Sequence, residues 1–298
     1  MNRGRVVASH GRHALVEPED GPRLICHPRG KKSQVVVGDV VQWQPTGDEG
    51  SIEKVEPRRN LFYRRDEIRT KSFAANLDLV LVLVAAEPEF SESQLARALI
   101  AAEAERIPPL IALNKSDLVE PFERAWRRLL PYQNAHYGIL PLSLRLSKDV
   151  DREHLMKHLH GKTTLVLGPS GAGKSTLINL LVPGAQAQTG EISQALNSGK
   201  HTTTSTTWYW VDKASNTALI DSPGFQEFGL HHIEPTQLAS LMPDLKEHVP
   251  GCKFYNCTHL HEPGCAVMAA IGEGPHHVSP SRHRIYSELF AELSTTRY

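Results

Sequence analysis

The centre of the chain reads Gly168-Pro169-Ser170-Gly171-Ala172-Gly173-Lys174-Ser175-Thr176. This stretch matches the pattern G-x4-G-K-[ST] and lies between a predicted strand, Thr163–Leu167, and a predicted helix, Ser175–Leu181. Glycines let backbone N–H groups converge on the α- and β-phosphates of a nucleotide, and the helix start adds its positive dipole end. We expect residues 168–176 to line a nucleotide site, with Lys174 at the β- and γ-phosphates and Ser175 on Mg²⁺. The motif does not identify the base.

A second motif, Asn114-Lys115-Ser116-Asp117, follows an apolar strand predicted at Leu110–Leu113. The Asp117 carboxylate can accept both the N1–H and the exocyclic N2–H₂ of guanine. Adenine lacks both donors. A site built to accept hydrogen bonds from these donors rejects a ligand that lacks them by ~10⁴–10⁵-fold. Asn114 is expected to hold the loop and face the O6/N7 edge, while the Lys115 stem packs along the base. Together with the phosphate motif, these four residues predict that the nucleotide is GTP.

Magnesium ligands and switch residues are expected in two further segments. The predicted strand Thr217–Ile220 runs into Asp221-Ser222-Pro223-Gly224, a D-x-P-G motif. Asp221 suits the Mg²⁺ shell and the Gly224 N–H suits the γ-phosphate, so both are candidate catalytic residues along with Lys174. A Thr-rich tract at 201–204 lies between the two motifs, and either Thr203 or Thr204 is expected to reach Mg²⁺. The tract does not indicate which, and a solvated Thr-rich loop is the alternative.

The glutamine that orients the attacking water in many GTPases is absent from its usual place. Phe225 follows Gly224, and Gln226 comes one position late. His201 is a candidate substitute because imidazole can orient or deprotonate water. The alternative is that His201 contacts RNA phosphate or solvent.

The order of the motifs is rotated relative to a conventional GTPase. The base motif at residue 114 precedes the phosphate motif at 168 and the D-x-P-G motif at 221. The strand–helix alternation around them predicts an α/β domain with a largely parallel, doubly wound sheet. Circular permutation preserves the contacts of such a sheet when the original termini lie close together. We therefore predict a circularly permuted P-loop GTPase domain.

The N-terminal region predicts a small β-barrel. Five short strands separated by turn signals are predicted at Arg5–Ser9, His13–Val16, Leu24–His27, Val40–Gln44 and Ser51–Val55. An OB-type barrel fits this spacing, and an SH3-like barrel is the alternative. Residues 1–75 carry a charge balance of +4, so this region could meet RNA phosphates. The candidate contacts are Arg3, Arg5, Arg12, Arg29, Lys31 and Lys32.

The C-terminal region predicts a structural zinc site. Cys252, Cys257, His259 and Cys265 supply three thiols and one imidazole, which fill a tetrahedral Zn²⁺ shell without an open position. His261 is a competing ligand, and unrelated buried cysteines are the alternative. A metal would also stabilise a proline-rich segment that otherwise has little core, followed by a helix from about residue 281. Cys26 stands apart and is expected to be a core residue.

Composition sets wider limits on the class of protein. The 298 residues are 40% hydrophobic and 22% charged, with a formal net charge of zero, which excludes wholesale disorder. The longest apolar run, Leu79–Ala86, is far short of the ~20 residues of a membrane span. Residues 1–10 show no signal-peptide pattern, so a cytoplasmic protein is expected. No heptad pattern argues for a stable oligomer, and a monomer is expected.

Together these features resemble the ribosome small-subunit-dependent GTPase A family (RsgA, also called YjeQ) over nearly the whole chain. The resemblance implies an OB-type barrel at 1–68 that binds RNA, a permuted GTPase domain at 69–230 and a small, mostly helical zinc domain at 231–298. It also implies a cytoplasmic factor that binds the small ribosomal subunit late in its maturation, contacts rRNA, and hydrolyses GTP under stimulation by the subunit. Phe225 matches the hydrophobic residue that replaces the catalytic glutamine in this family.

One departure concerns the fifth GTPase motif, which is usually rich in Ser and Ala and often followed by glycines. The only candidate is Ser143-Leu144-Arg145-Leu146, and no glycine follows before Gly161. The base contacts of this loop are therefore left open. Two rival functions are also left open: a permuted GTPase acting on the large subunit, and a non-enzymatic RNA-binding protein that senses guanine nucleotide. The predicted barrel and zinc cluster argue against the first, and Lys174, Ser175 and Asp221 argue against the second.

Overall fold

The computed structural model describes residues 1–10, 13–30, 34–185, 206–223 and 228–295. Three of the predicted phosphate contacts, Arg12, Lys31 and Lys32, lie outside these residues. So do five residues predicted at the switches: His201, Thr203, Thr204, Gly224 and Phe225.

Five strands form the N-terminal barrel: β1 Asn2–His10, β2 His13–Pro18, β3 Leu24–Pro28, β4 Val40–Thr46 and β5 Glu49–Val55. They pair in the order β1-β2-β3-β5-β4, and β4 closes the barrel by pairing with β1. The β3–β5 pair is parallel and the others are antiparallel. This Greek-key order is that of an OB-type barrel, so the OB prediction is confirmed. Cys26 is fully buried inside the barrel, as expected.

A hairpin that the sequence analysis did not predict follows the barrel. Strands β6 Leu61–Arg65 and β7 Thr70–Ala75 form a separate two-stranded sheet. A bridge between Val37 and Ala74 ties this hairpin to the barrel. The domain limit predicted at residue 68 falls in the loop between β6 and β7. The domain limits therefore stay predictions.

The central domain is a doubly wound sheet with helices on both faces. Its elements are β8 Leu79–Ala85, α1 Glu92–Ala104, β9 Pro109–Asn114, α2 Val119–Asn134, β10 Gly138–Pro141, α3 Lys148–Leu159, β11 Thr163–Leu167, α4 Lys174–Leu181, β12 Thr207–Asp212 and β13 Thr217–Asp221. The strand order is β10-β9-β8-β11-β13-β12, and every pair is parallel except β12–β13. Alternate side chains of β8 join two different cores, one on each face. Burial on both faces explains why β8 is apolar throughout.

The sheet continues from the central domain into the barrel. Thr207 of β12 pairs with Ala8 of β1, which makes one eleven-stranded sheet. The barrel is thus attached to the central domain at β12, the antiparallel strand next to β13.

The C-terminal region is mostly helical, as predicted. It contains 3₁₀ turns at Pro235–Leu241 and Val249–Gly251, and helices α5 Pro243–Lys246, α6 Ala266–Ala269 and α7 Pro280–Ser294. The Arg282 guanidinium donates to both carboxylate oxygens of Asp244 at 2.9 and 2.7 Å, and it lies 4.8 Å from the centre of the Tyr132 ring of α2. This buried ion pair therefore also contacts the central domain. Among the described residues, no helix has both the length and the apolar character needed to cross a bilayer.

Candidate functional site

The glycine-rich loop lies at the carboxyl end of β11, and its glycines are required by close contacts. Gly173 has a φ of +105°. A Cβ at Gly173 would lie 2.4 Å from Nδ2 of Asn114, and one at Gly168 would lie 2.5 Å from the Leu83 carbonyl oxygen. Neither position has room for a side chain. The loop is therefore packed tightly on β8 and on the base motif, with α4 beginning at Lys174.

Asn114 joins three loops of the predicted nucleotide site. Its Nδ2 donates to the Ala172 carbonyl in the glycine-rich loop at 2.9 Å, and its Oδ1 accepts from the Leu144 N–H at 3.2 Å. The side chain is only 4% exposed. The base motif, the phosphate motif and the candidate fifth motif are thereby held together, although Asn114 and Leu144 are 30 residues apart in sequence.

Asp117 is exposed at the mouth of the site and is oriented by the fifth motif. The Ser143 hydroxyl donates to Asp117 Oδ1 at 2.7 Å, and the Ser143 N–H donates to Asp151 Oδ2 at 2.7 Å. Lys115 has a φ of +68° and donates from Nζ to the Glu87 carbonyl. The loop at 143–146 therefore supports the base motif without the glycines that usually follow a fifth motif. Sequence reasoning left this role open because a Ser-Leu-Arg-Leu stretch has little signal of its own.

Lys174 and Asp221 meet at the carboxyl ends of β11 and β13. Lys174 Nζ lies 2.6 Å from Asp221 Oδ1 and also donates to the Ser222 carbonyl. Asp221 is 9% exposed, and burial raises the pKa of its carboxyl, although the neighbouring Lys174 ammonium lowers it. A carboxylate beside the first turn of α4, which carries the Ser175 hydroxyl, offers the oxygen ligands that Mg²⁺ prefers. These donors fit the predicted magnesium site.

A set of contacts that sequence reasoning missed fixes the chain just beyond the D-x-P-G motif. Gln94 Oε1 accepts from the Phe228 N–H at 3.0 Å, and Arg97 donates to the Phe228 carbonyl at 3.3 Å. Arg97 also donates to the Glu292 carboxylate of α7 at 2.9 Å. Phe228 packs its ring against the rings of Phe62 and Phe73 in the hairpin. The hairpin, α1 and α7 thus meet at Phe228, and no sequence motif marks these long-range partners.

The four predicted metal ligands come together in the C-terminal region. The Sγ atoms of Cys252, Cys257 and Cys265 and Nδ1 of His259 all lie within 4.8 Å of one another. Cys252 Sγ lies 4.0 Å from Cys265 Sγ and 3.5 Å from His259 Nδ1. Ligands 2.3 Å from a tetrahedral zinc ion are separated by about 3.8 Å, so the cluster has the right size for one ion. His261 is exposed and outside this cluster.

The three predicted phosphate contacts that the structure describes, Arg3, Arg5 and Arg29, have partners within the protein. Arg3 forms salt bridges with Glu19 and Glu56, and Arg29 forms one with Glu53. Both arginines are largely exposed, with side-chain exposures of 54% and 75%. The Arg5 guanidinium lies over the Trp208 and Trp210 rings of β12, and its contact with phosphate stays a prediction. Its position is at the contact between barrel and central domain.

These parts define the class: a circularly permuted GTPase with an OB-type barrel before it and, after it, a helical region that carries a candidate metal site. A model of the family described as RsgA GTPase matches residues 55–231. A protein of Variovorax paradoxus (strain S110), named small ribosomal subunit biogenesis GTPase RsgA, is 74% identical over 100% of this chain and 94% of its own length. A relative with the same name from Paraburkholderia xenovorans (strain LB400) is 50% identical over 98% of this chain and 93% of its own length.

Solved structures agree with this classification. YjeQ from Thermotoga maritima superposes with a TM-score of 0.76 at 30% identity, covering 99% of both chains. YloQ, described as a circularly permuted GTPase, gives a TM-score of 0.73 at 26% identity over 100% of this chain and 97% of its own. The chain belongs to the RsgA GTPase family, and it is a GTP hydrolase.

Proposed function

We propose that this GTPase binds the small ribosomal subunit late in its maturation, that the subunit stimulates GTP hydrolysis, and that hydrolysis promotes release of the protein. The names of the two relatives described above support the choice of the small subunit. The main structural support for the nucleotide site comes from the Asn114 amide. It forms hydrogen bonds with Ala172 and Leu144 and so joins the phosphate loop to the base loop.

The residues of the site divide the work of binding and hydrolysis. Residues 168–176 surround the phosphates, Lys174 neutralises charge on the β- and γ-phosphates, and Asp117 accepts the guanine N–H groups. Lys115 and Ser116 complete the base loop. Ser175 and Asp221 would hold Mg²⁺, with Thr203 or Thr204 as the proposed third ligand. A Mg²⁺ ion held by these residues would supply positive charge against the charge that develops on transfer of the γ-phosphate.

The proposed catalytic set is Lys174, Asp221, Gly224 and His201. Preorganised charges that face the transferring phosphate stabilise its transition state more than its ground state. Lys174 Nζ and Asp221 Oδ1 are paired with each other at 2.6 Å. Bound nucleotide and Mg²⁺ would replace this pairing, with the ammonium turning to the phosphates and the carboxylate to the ion. His201 is proposed to orient the attacking water, because Phe225 cannot do so.

The remaining proposals concern the metal, the partner and the setting. Cys252, Cys257, His259 and Cys265 are proposed to hold one structural Zn²⁺, since three thiolates and one imidazole leave no position for a substrate. The barrel and the zinc domain are proposed to contact rRNA. A factor that acts on the small subunit works where ribosomes assemble, so we propose that the protein is cytoplasmic. We also propose that it is a monomer.

The test is GTP hydrolysis with and without purified small subunits, with large subunits and ATP as controls. We expect stimulation by the small subunit alone and no hydrolysis of ATP. Stimulation by large subunits would favour the rival assembly GTPase. Turnover that ignores both subunits would contradict the proposed partner while leaving the GTP site in place. Lys174→Ala should abolish stimulated turnover, and normal turnover in that variant would contradict the assignment of the phosphate loop.

A further inference from the structure

One row of paired residues joins the barrel to the proposed magnesium ligand. Ala8 of β1 pairs with Thr207 of β12, and Thr207 pairs with Asp221 of β13. Neighbouring strands lie about 4.8 Å apart, so about 10 Å separates the barrel backbone from the Asp221 backbone. Ala8 is 0% exposed and Thr207 is 3% exposed. We refer to these three residues as the Ala8–Thr207–Asp221 row.

Side chains reinforce this row on the barrel side. The Arg5 guanidinium carbon lies 4.7 Å from the centre of the Trp208 ring and 5.3 Å from that of Trp210. The two indoles stand two residues apart on β12, with centres 5.2 Å apart at 72°. A guanidinium placed over indole rings is attracted by their negative faces, more strongly where water is partly excluded. Arg5 therefore fixes β1 of the barrel to β12 of the central domain.

A second barrel residue cross-links the same strand. Glu17 of β2 accepts from Trp210 Nε1 at 2.8 Å and from Lys213 Nζ at 3.1 Å. It also accepts from Arg23 within the barrel at 2.7 Å. Arg5 of β1 and Glu17 of β2 thus both attach the barrel to β12. Close-packed elements of this kind move together because the interior has little free space.

We propose that Arg5 is a positioning residue for stimulated hydrolysis: it transmits docking of the barrel on the small subunit to Asp221 through β12. The inference rests on the proposed function, because it requires that the subunit stimulate turnover. A shift of β1 on docking moves Thr207, and Thr207 is the partner of Asp221 in the antiparallel pair β12–β13. Lys174 contacts Asp221 and moves with it. The partner signal therefore reaches the two charged groups at the γ-phosphate without any contact between Arg5 and RNA.

The experiment measures GTP turnover against the concentration of small subunits for the full chain and for Arg5→Met. Methionine keeps an unbranched apolar stem and removes the guanidinium from the indoles. We expect the maximal stimulated rate to fall about tenfold, which is within the range of coupling changes found along such contacts. The half-saturating subunit concentration and the intrinsic rate should stay within about twofold of the unmodified chain. Arg5→Lys, which restores a cation, should recover part of the stimulated rate.

Lys54→Ala is the matched control, since it removes one exposed positive charge from β5 of the same barrel. It should leave the maximal stimulated rate unchanged. Thermal unfolding of each variant shows whether it is folded. If Arg5→Met does not fold, Trp210→Phe repeats the test, because it loses the N–H that Trp210 donates to Glu17.

Each other outcome has a distinct meaning. An Arg5→Met protein with a full maximal rate and a raised half-saturating concentration would make Arg5 a phosphate contact and overturn the proposal. An equal loss of intrinsic and stimulated rates would make Arg5 a structural residue only, which also overturns it. Wild-type behaviour of Arg5→Met and Trp210→Phe would do the same. If the unmodified chain is not stimulated by small subunits, the proposed function fails first, before any variant is compared.

Discussion

Replacement of Asp117 by asparagine tests the assignment of guanine recognition. The carboxylate is proposed to accept the N1–H and N2–H₂ of guanine, and Ser143 orients it through a 2.7 Å hydrogen bond. An asparagine amide keeps one acceptor and adds a donor in place of the second. That arrangement suits xanthine, which presents N1–H beside a carbonyl oxygen at C2. Asp117→Asn should therefore weaken GTP binding and strengthen XTP binding.

The size of the effect follows from the bonds lost. A hydrogen bond to a charged group contributes about 1.5–3 kcal/mol, and Asp117 is proposed to make two such bonds to guanine. In Asp117→Asn one bond is lost and leaves a donor facing a donor, while the other becomes a weaker bond to a neutral group. Because the side chain is exposed, the lower end of the range applies to each change, and the total is about 3 kcal/mol. Binding of GTP should weaken by about two orders of magnitude. Ser143→Ala removes only the orienting bond and should weaken binding by about fivefold.

The assay is competition between a fluorescent guanine nucleotide and unlabelled GTP or XTP, followed by hydrolysis of each triphosphate. Glu120→Gln is the control, since it neutralises an exposed carboxylate three residues along the chain. It should bind GTP normally. A loss of GTP affinity below about tenfold in Asp117→Asn, with no gain for XTP, would refute the assignment of Asp117 to the guanine edge.

Three further predictions concern stability and metal content. Asp244→Ala should lower the free energy of unfolding by about 3–5 kcal/mol, because Arg282, 1% exposed, would lose both bonds to its carboxylate partner. Urea titration measures this free energy. Arg284→Ala, on the exposed side of α7, is the control and should change it by less than about 0.5 kcal/mol. Burial lowers the pKa of His232 from 6.5 to about 4, so its neutral form stabilises the fold above pH 6.5 and this contribution declines as the pH falls toward 4. His232→Phe should flatten the dependence of the melting temperature on pH between 7 and 5, and an unchanged slope would contradict this. Elemental analysis should find about one zinc per chain, and Cys257→Ser should lose it and make the C-terminal region sensitive to proteolysis; well under one zinc in fresh protein would disprove the cluster assignment.

The permuted GTPase fold could be predicted because its signals are local. The glycine-rich loop and the N-K-x-D loop each follow an apolar strand, and parallel strands place such loops at one edge of the sheet. The five barrel strands were also found, since turn residues separate them. Their closure in OB order depends on the pairing of β3 with β5, which is long-range and invisible in one sequence.

Other elements lacked a local signal that the sequence analysis used. The hairpin β6–β7 carries charged residues at exposed positions, and its apolar side chains pack against Phe228, far along the chain. Strand β12 is rich in aromatic and β-branched residues, which favour strands, but nothing in it indicates that it runs antiparallel beside the barrel. Arg5 was expected to contact RNA because it lies in a positively charged region. Its contact with Trp208 and Trp210 could not be predicted, because the two indoles lie about 200 residues later and nothing near Arg5 in the sequence indicates them.

The pairing of β1 with β12 has a consequence for synthesis of the protein. The ribosome makes residues 1–55 first, and all five barrel strands are then available to one another. The outer side of β1 at Ala8 must wait for Thr207, which at ~5–20 residues per second takes about 10–40 s. During that interval the end of β1 around Ala8, beyond the residues that pair with β4, lacks its partner strand, and the Arg5 cation lacks its indoles. A strand segment with an open side is a site at which other chains can pair. Chaperone dependence of the nascent chain should therefore end only after β12 has emerged from the ribosome.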